Sequence, residues 1–435
     1  VWLKVVVDTA IVYGKWLKVI FKSFVIKTRK TAQNPEKTLF ILASHLPPNH
    51  SGGVHRPLSF IVNAKNSGWH CLAFCFDYPA DDKQAGEYLA KKIDKDIIVD
   101  HISLSKLRPS WRMAPHIDGG FANSLRMFQS IVKKGYDRPD IILASGPQFN
   151  TFLAAYYLSY FFKTKLILDY RDEWLLCPFS WVEKAPTDYF FENMVCKKAS
   201  LIIFTTKSHA QAHALRFPNV DSAKRTVISN GYAEEDLAYV LNQGKIYSIT
   251  ANQRFTISYL GALGEHSAPD KFLANLREIL DECPDLAGQL QINFVGSKSL
   301  EILEVLENFK YQDAISISPH VNKAAALEIM FNSDALLILA AAGMKSYIPG
   351  KLFDYLSIKK PVVYYGEIGE ASAIIAKLNA GFSVEIGDKE ALKQALLALL
   401  HNQLKVDEHM IDDWLVDYTR NNLAKKLFEK LNTLL

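Results

Sequence analysis

The sequence predicts an α/β protein built from two doubly wound parallel-sheet, Rossmann-like domains. Three observations predict it. Short, continuously apolar runs recur with helix-length segments between them, the pattern of parallel strands covered on both faces. These runs are too many for one tidy sheet. The chain is 435 residues long, more than one ordinary core organises, so two domains are expected.

The apolar runs are Thr38 to Ser44, His70 to Phe76, Ile141 to Ser145, Leu166 to Asp169, Leu201 to Thr205, Thr256 to Leu260, Gln291 to Val295, Ala335 to Ala340 and Pro361 to Tyr365. Between the halves, a strand ends in Val227-Ile-Ser-Asn-Gly231. An acidic turn follows, then a polar stretch from Asn242 to Arg254, so the hinge belongs there. The expected division is 1–37 as a basic amphipathic segment, 38–230 as the first domain, 231–404 as the second, and 405–435 as a helix returning to the first.

Composition is ordinary for a globular chain, with 49% hydrophobic and 22% charged residues, which excludes disorder and fibrous repeats. Five cysteines without CxxC or zinc spacing read as buried thiols of a reducing compartment. Charge is unevenly placed. Residues 1–30 carry seven basic side chains against Asp8 alone, a net of +6, which leaves −2 for the rest of a chain whose total is +4. A nucleic-acid-binding surface is therefore not implied.

In that segment Trp2, Leu3, Val6, Ile11, Trp16, Leu17, Ile20, Phe21 and Phe24 form a broad apolar face beside a stripe of charges. No uncharged run reaches the ~18 residues of a spanning helix. Two readings stay open: a helix lying on an anionic membrane with Trp2, Tyr13 and Trp16 at interfacial depth, or one packed on the protein's own surface.

Ligands of doubly wound sheets lie beyond the carboxyl ends of the strands, so chemistry is sought in the loops there. Three loops qualify. After the first strand, Ser51-Gly-Gly-Val-His-Arg56 sets Gly52 and Gly53 ahead of a helix, where free N–H groups favour phosphate and Arg56 adds charge. The bland alternative is a tight turn. Asp169-Tyr-Arg-Asp-Glu-Trp174 crowds charge at a strand end, with Asp172 to accept a hydroxyl proton and Arg171 to orient an acceptor. An Asp–Arg pair fixing the loop is the structural alternative. In Ser346-Tyr-Ile-Pro-Gly-Lys-Leu-Phe-Asp354, Pro349 opens a helix whose first turn holds Gly350, Lys351 and Leu352. Their N–H groups and the Lys351 charge suit a diphosphate, and Asp354 suits ribose hydroxyls. Taken alone, Lys351 and Asp354 are equally a surface pair three residues apart.

The segments PPNHSGGVHRPLSF, ILASGPQFNTFLAA, LILDYRDEW, VISNGY, ISYLGALG, INFVGS and PGKLFDYLSIKKPVVYYG run in an order that resembles the retaining glycosyltransferases of the GT-B fold, family 4, from about Thr38 onward. The resemblance implies two domains facing across a cleft, a nucleotide-diphosphate sugar as donor, and a glycan or glycolipid acceptor. It also implies retention without a metal and a place in cell-surface polysaccharide synthesis, in the cytoplasm or on the inner face of the membrane. By the same resemblance, Gly52, Gly53 and Arg56 contact donor phosphates near the acceptor, Gly261 lines the donor site, and Asp354 holds the ribose. Gly53, Arg171 and Asp172 are then the catalytic candidates. Two positions depart from the family. Ser346 stands where its first acidic residue falls, and Gly261-Ala-Leu-Gly-Glu-His266 lacks the usual Arg and Lys, leaving Lys351 to supply the charge. These departures keep two further classes open: a non-catalytic nucleotide-sugar-binding protein, and a GT-B-fold epimerase.

Overall fold

The computed structural model describes residues 2–25, 37–49, 51–78, 83–110, 112–242 and 254–435. Lys27, Arg29 and Lys30 of the basic segment, the polar break at 31–36, His50 of the first loop and linker residues 243–253 lie outside the described residues. The chain divides into two compact units, Val1–Ser229 with Ala424–Leu435, and Asn230–Leu423. Residues 405–423, read from the sequence as part of a tail returning to the first domain, thus fall in the second unit.

The first unit holds a seven-stranded, all-parallel sheet in the order β3-β2-β1-β4-β5-β6-β7. The strands are β1 (Lys37–Ala43), β2 (Trp69–Phe76), β3 (Ile98–Ile102), β4 (Ile141–Gly146), β5 (Lys165–Tyr170), β6 (Leu201–Phe204) and β7 (Arg225–Val227). Leu39 of β1 is flanked by Cys71 of β2 and Ile141 of β4, so chain order reverses on the two sides of β1. Ligands bind at such a switch point. Its two loops are tied together by Ser44, whose hydroxyl accepts from the Gln148 N–H at 3.2 Å.

The second unit repeats the plan with six parallel strands in the order β10-β9-β8-β11-β12-β13. They are β8 (Phe255–Leu260), β9 (Leu290–Val295), β10 (Ile315–Ser318), β11 (Ala335–Leu339), β12 (Val362–Tyr365) and β13 (Gly381–Val384). Its switch point lies between β8 and β11. One core joins Ile257, Tyr259, Ile292, Phe294, Leu337 and Leu339 from the strands to Phe272, Leu276 and Leu396 from the covering helices. Each such side chain removed from water stabilises the unit by about 1.5–3 kcal/mol. Strands β3, β10 and β13 were not anticipated from the sequence; all three lie at sheet edges, half-exposed, and lack a continuous apolar run.

The N-terminal segment is a helix, α1 (Trp2–Phe24), packed on the first unit by one face. Val12 and Val19 are buried. The indole N–H of Trp16 donates to Tyr157 Oη at 2.6 Å, and Tyr13 Oη donates to the Met113 carbonyl at 2.9 Å. Asp8 and Thr9 accept the N–H groups of Arg108 and Ser110, both at 3.0 Å. Packing on the protein's own surface is therefore correct for this face. Trp16 and Tyr13, read as interfacial anchors, are engaged by the protein itself. Among the described residues no helix is long and apolar enough to cross a membrane.

Candidate functional site

In the first unit, the loop after β1 leads through a 3-10 turn (Gly52–Val54) into helix α2 (His55–Ala64). The N–H groups of Gly52 and Gly53 find no acceptor among the described residues. A side chain at 52 would meet open space, whereas a Cβ at Gly53 would run into the Arg171 guanidinium. Arg171 clamps this loop to the one after β4. Its Nη1 donates to the Gly53 carbonyl and its Nη2 to the Pro147 carbonyl, while Nε reaches the Gly146 carbonyl at 3.2 Å. Gly53 and Arg171 are thus brought together.

Arg56 requires a correction. Its Nε and Nη2 donate to the buried Asp169 carboxylate at 2.8–3.1 Å, and Nη1 donates to the Ser229 carbonyl at 2.7 Å. Asp169 also accepts from Ser145 Oγ at 2.8 Å. Both partners are nine-tenths or more buried, and all three guanidinium nitrogens are engaged. The Arg56 charge is thus matched inside the fold by a buried carboxylate, and the side chain holds α2 to β5 and to the end of the unit.

Asp172 follows Arg171 and remains partly exposed, with no side-chain hydrogen bond among the described residues. Burial raises its pKa against the opposing pull of Arg171. Nearby, the sequence reading missed a polar set. His45 stacks on Tyr78 with ring centroids 4.5 Å apart, and Tyr78 Oη donates to Gln148 Oε1 at 2.7 Å. Burial, helped by the Arg171 charge, lowers His45 to about 4, so the imidazole is neutral at physiological pH. His45 follows the first apolar run directly, but only the pairing of β1 with β4 and β2 reveals its neighbours.

In the second unit, Gly261 follows β8 with φ 130° and Gly296 follows β9 with φ 140°, conformations that favour glycine. A Cβ at Gly296 would strike the Gly261 carbonyl, and one at Gly261 would lie 2.9 Å from Lys351 Nζ. Lys351 therefore extends across the glycine loop, with Nζ 3.8 Å from the Tyr259 ring centroid. No carboxylate or hydrogen-bond acceptor among the described residues engages Nζ, and burial lowers its pKa from 10.5 to about 7. The Lys351–Asp354 surface pair, the bland alternative for this segment, does not form. Asp354 Oδ2 instead lies 2.6 Å from Lys323 Nζ, on a helix 31 residues earlier in sequence that sequence spacing could not bring to it.

The helix Gly350–Ile358 begins at Pro349, has no side-chain cap and carries no acid in its first turn. The Gly350 and Lys351 N–H groups have no acceptor among the described residues, but Leu352 is a correction: its N–H donates to the Pro349 carbonyl at 2.9 Å. The Leu352 side chain is fully buried and anchors the helix, as does Tyr355, whose hydroxyl accepts from the Leu260 N–H at 2.9 Å. The result is a helix N-terminus, a glycine loop and an unpaired ammonium at one switch point, an arrangement that attracts an anion. His266 borders it, its pKa lowered by burial and by the Lys351 charge.

Comparison of the whole chain with solved structures defines its class. It is similar to Anabaena HepE in complex with UDP and glucose, at TM-score 0.65 and 14% identity over 91% of this chain and 100% of that one. A sucrose-phosphate synthase from Thermosynechococcus elongatus gives TM-score 0.69 and 12% identity over 92% and 99%. A glycosyltransferase from Rickettsia africae gives 0.59 and 17% over 91% and 98%. The fold is that of the GT-B glycosyltransferases. Within it, residues 254–402 match the family model described as glycosyl transferases group 1. No curated protein matches the chain.

Proposed function

We propose that the protein is a retaining, metal-independent glycosyltransferase that moves a hexosyl group from a nucleotide-diphosphate sugar to a hydroxyl of a glycan or glycolipid, in cell-surface polysaccharide synthesis. One observation carries the reading. Among the described residues, Lys351 holds an ammonium without a counter-charge beside Gly261 and the N–H groups of Gly350 and Lys351, which have no acceptor there. That is where a departing diphosphate would need charge, and donors fixed in advance at such a position lower the barrier without reorganising.

In this reading the bond from the anomeric carbon to the β-phosphate oxygen breaks with its electron pair going to the phosphate. The acceptor hydroxyl adds to the same face and its proton passes to the leaving phosphate. Asp172 positions the acceptor hydroxyl, with neutral His45 as a further hydrogen-bonding group, and Asp354 holds the ribose while sharing its charge with Lys323. HepE was crystallised with UDP and glucose, so a UDP-sugar is the first donor to test. We further place the protein in the cytoplasm, peripheral on an anionic membrane surface, in keeping with its free thiols and the lysines of α1.

The test is a thermal-shift panel of UDP-, GDP-, ADP- and CMP-sugars, followed by mass and anomeric analysis of products with lipid-linked and glycan acceptors. A stabilising nucleotide and an α-linked product from an α-linked donor are expected. Binding without transfer to any acceptor would favour a non-catalytic carrier, and an epimerised free sugar would overturn the transfer reading.

A further inference from the structure

Helix α1 hides one face against the first unit and leaves an unusual one outside. Leu3, Val7 and Ile11, and then Leu17, Phe21 and Val25, recur at four-residue steps, with a six-residue step between the two runs, and share that outer face. Leu3 is 72% exposed, Leu17 65% and Phe21 57%. The polar side chains expected outside are partly inside instead, since Asp8, Thr9 and Ser23 are buried. The charges that stay outside on this helix are the exposed Lys4, Lys18 and Lys22. A contiguous apolar stripe edged only by cations is not a solvated face.

The stripe ends beside a second feature. The Phe24 ring packs on the Tyr160 ring with centroids 4.4 Å apart, and the same tyrosine carries Lys198 Nζ 4.5 Å from its centroid. Tyr160 and Lys198 line a cavity of about 500 Å³ with Arg138, Lys163 and Lys165. None of these four cations pairs with a carboxylate among the described residues. The cavity's acid, Asp140, accepts the Thr38 N–H at 2.8 Å. Lys163 holds a left-handed backbone at φ 51°, a strained conformation for a residue with a side chain. Arg138 Nη2 donates to its carbonyl at 2.9 Å.

We propose that the outer face of α1 and this basic pocket form one membrane-docking surface: the apolar side chains enter the interfacial layer of an anionic bilayer, and the pocket holds the phosphate of a phospholipid headgroup. The inference rests on the membrane partner proposed above and deepens it. Apolar burial and electrostatic attraction act together in interfacial helices, and single signals bind only weakly. Charge complementarity selects the bilayer over a second copy of the chain, because two copies meeting by this face would oppose lysine to lysine.

Flotation of the full-length protein with phosphatidylcholine vesicles, with and without phosphatidylglycerol, tests it. Basic residues near an anionic surface each contribute roughly fivefold in partition, so the triple variant Lys163→Ala, Lys165→Ala, Lys198→Ala should lose about a hundredfold on phosphatidylglycerol vesicles. Leu17→Ser with Phe21→Ser should lower partition to both vesicle types. Melting temperature and nucleotide-induced thermal shift, unchanged in both variants, verify folding. If the wild-type protein floats and the triple variant floats equally well, the pocket assignment is overturned while the membrane reading stands. If the wild-type protein does not float at all, both fall, and phosphate binding by the free protein would then mark the pocket as a site for a soluble anion.

Discussion

Arg56 and Lys351 invite comparison. Each stands at a glycine loop at the switch point of a parallel sheet, and each was read from the sequence as a cation for donor phosphate. In the first unit, Arg56 is paired with the buried Asp169 carboxylate and bonded to the Ser229 carbonyl. In the second, Lys351 Nζ lies over the Tyr259 ring and beside Gly261, with no carboxylate engaging it among the described residues. A cation that has found its counter-charge inside the fold holds elements together. One left without a counter-charge, at a cost in burial that depresses its pKa, is a place where the fold waits for an anion.

The comparison breaks most sharply on stability. Arg56→Ala would leave the Asp169 carboxylate buried and unpaired, and breaking such a pair costs about 3–5 kcal/mol. Chemical denaturation should show that loss in the first unit. Donor affinity measured on the remaining folded protein should be unchanged, and a variant as stable as the parent but weaker for nucleotide would return Arg56 to the binding site. Lys351→Ala should do the opposite. It removes an ammonium that the fold does not pair, so stability should hold or rise, while kcat/KM for the donor falls by about 10²–10³-fold. Equal kinetics in the variant would remove Lys351 from the site. Gly53→Val sharpens the case from the acceptor side: its Cβ would displace the Arg171 clamp, so turnover should fall with donor affinity retained, and a fully active variant would break the link between the two loops.

How far the sequence could have foretold this depends on where a residue's partner lies. Buried central strands announce themselves, because parallel strands covered on both faces are apolar throughout; β1, β4, β8 and β11 were legible for that reason. Edge strands β3, β10 and β13 were not, since one side is uncovered and their residues alternate. The helix start at Gly350 was legible through Pro349, yet the engaged N–H of Leu352 was not, because its acceptor is set by the first-turn geometry. Arg56 and Asp169 lie 113 residues apart and meet only through sheet order. Lys323 reaches Asp354 across two helices in the same way. The amphipathic reading of α1 was correct about its periodicity but could not say which of two apolar faces the protein keeps for itself.

The smallest expected effect separates the two cations by pH. Lys351, lowered to about 7 by burial, titrates in the physiological range. A bound diphosphate stabilises the ammonium and raises that pKa, so binding takes up a proton wherever the free site is neutral and the complex is charged. Affinity for the nucleotide-sugar, whose diphosphate diester does not itself titrate near neutrality, should then be flat below about pH 7 and weaken above it by up to about tenfold per pH unit, until the pKa of the complex is reached. His266 faces the same ammonium, and burial together with that charge lowers its pKa. Calorimetry from about pH 6 to about pH 9, in buffers of different ionisation enthalpy, reads both the affinity and the proton count. Lys351→Met should give weak binding with a flat profile. A parent profile equally flat across this range would mean that the ammonium keeps its proton with or without ligand, and that Lys351, like Arg56, already has its counter-charge.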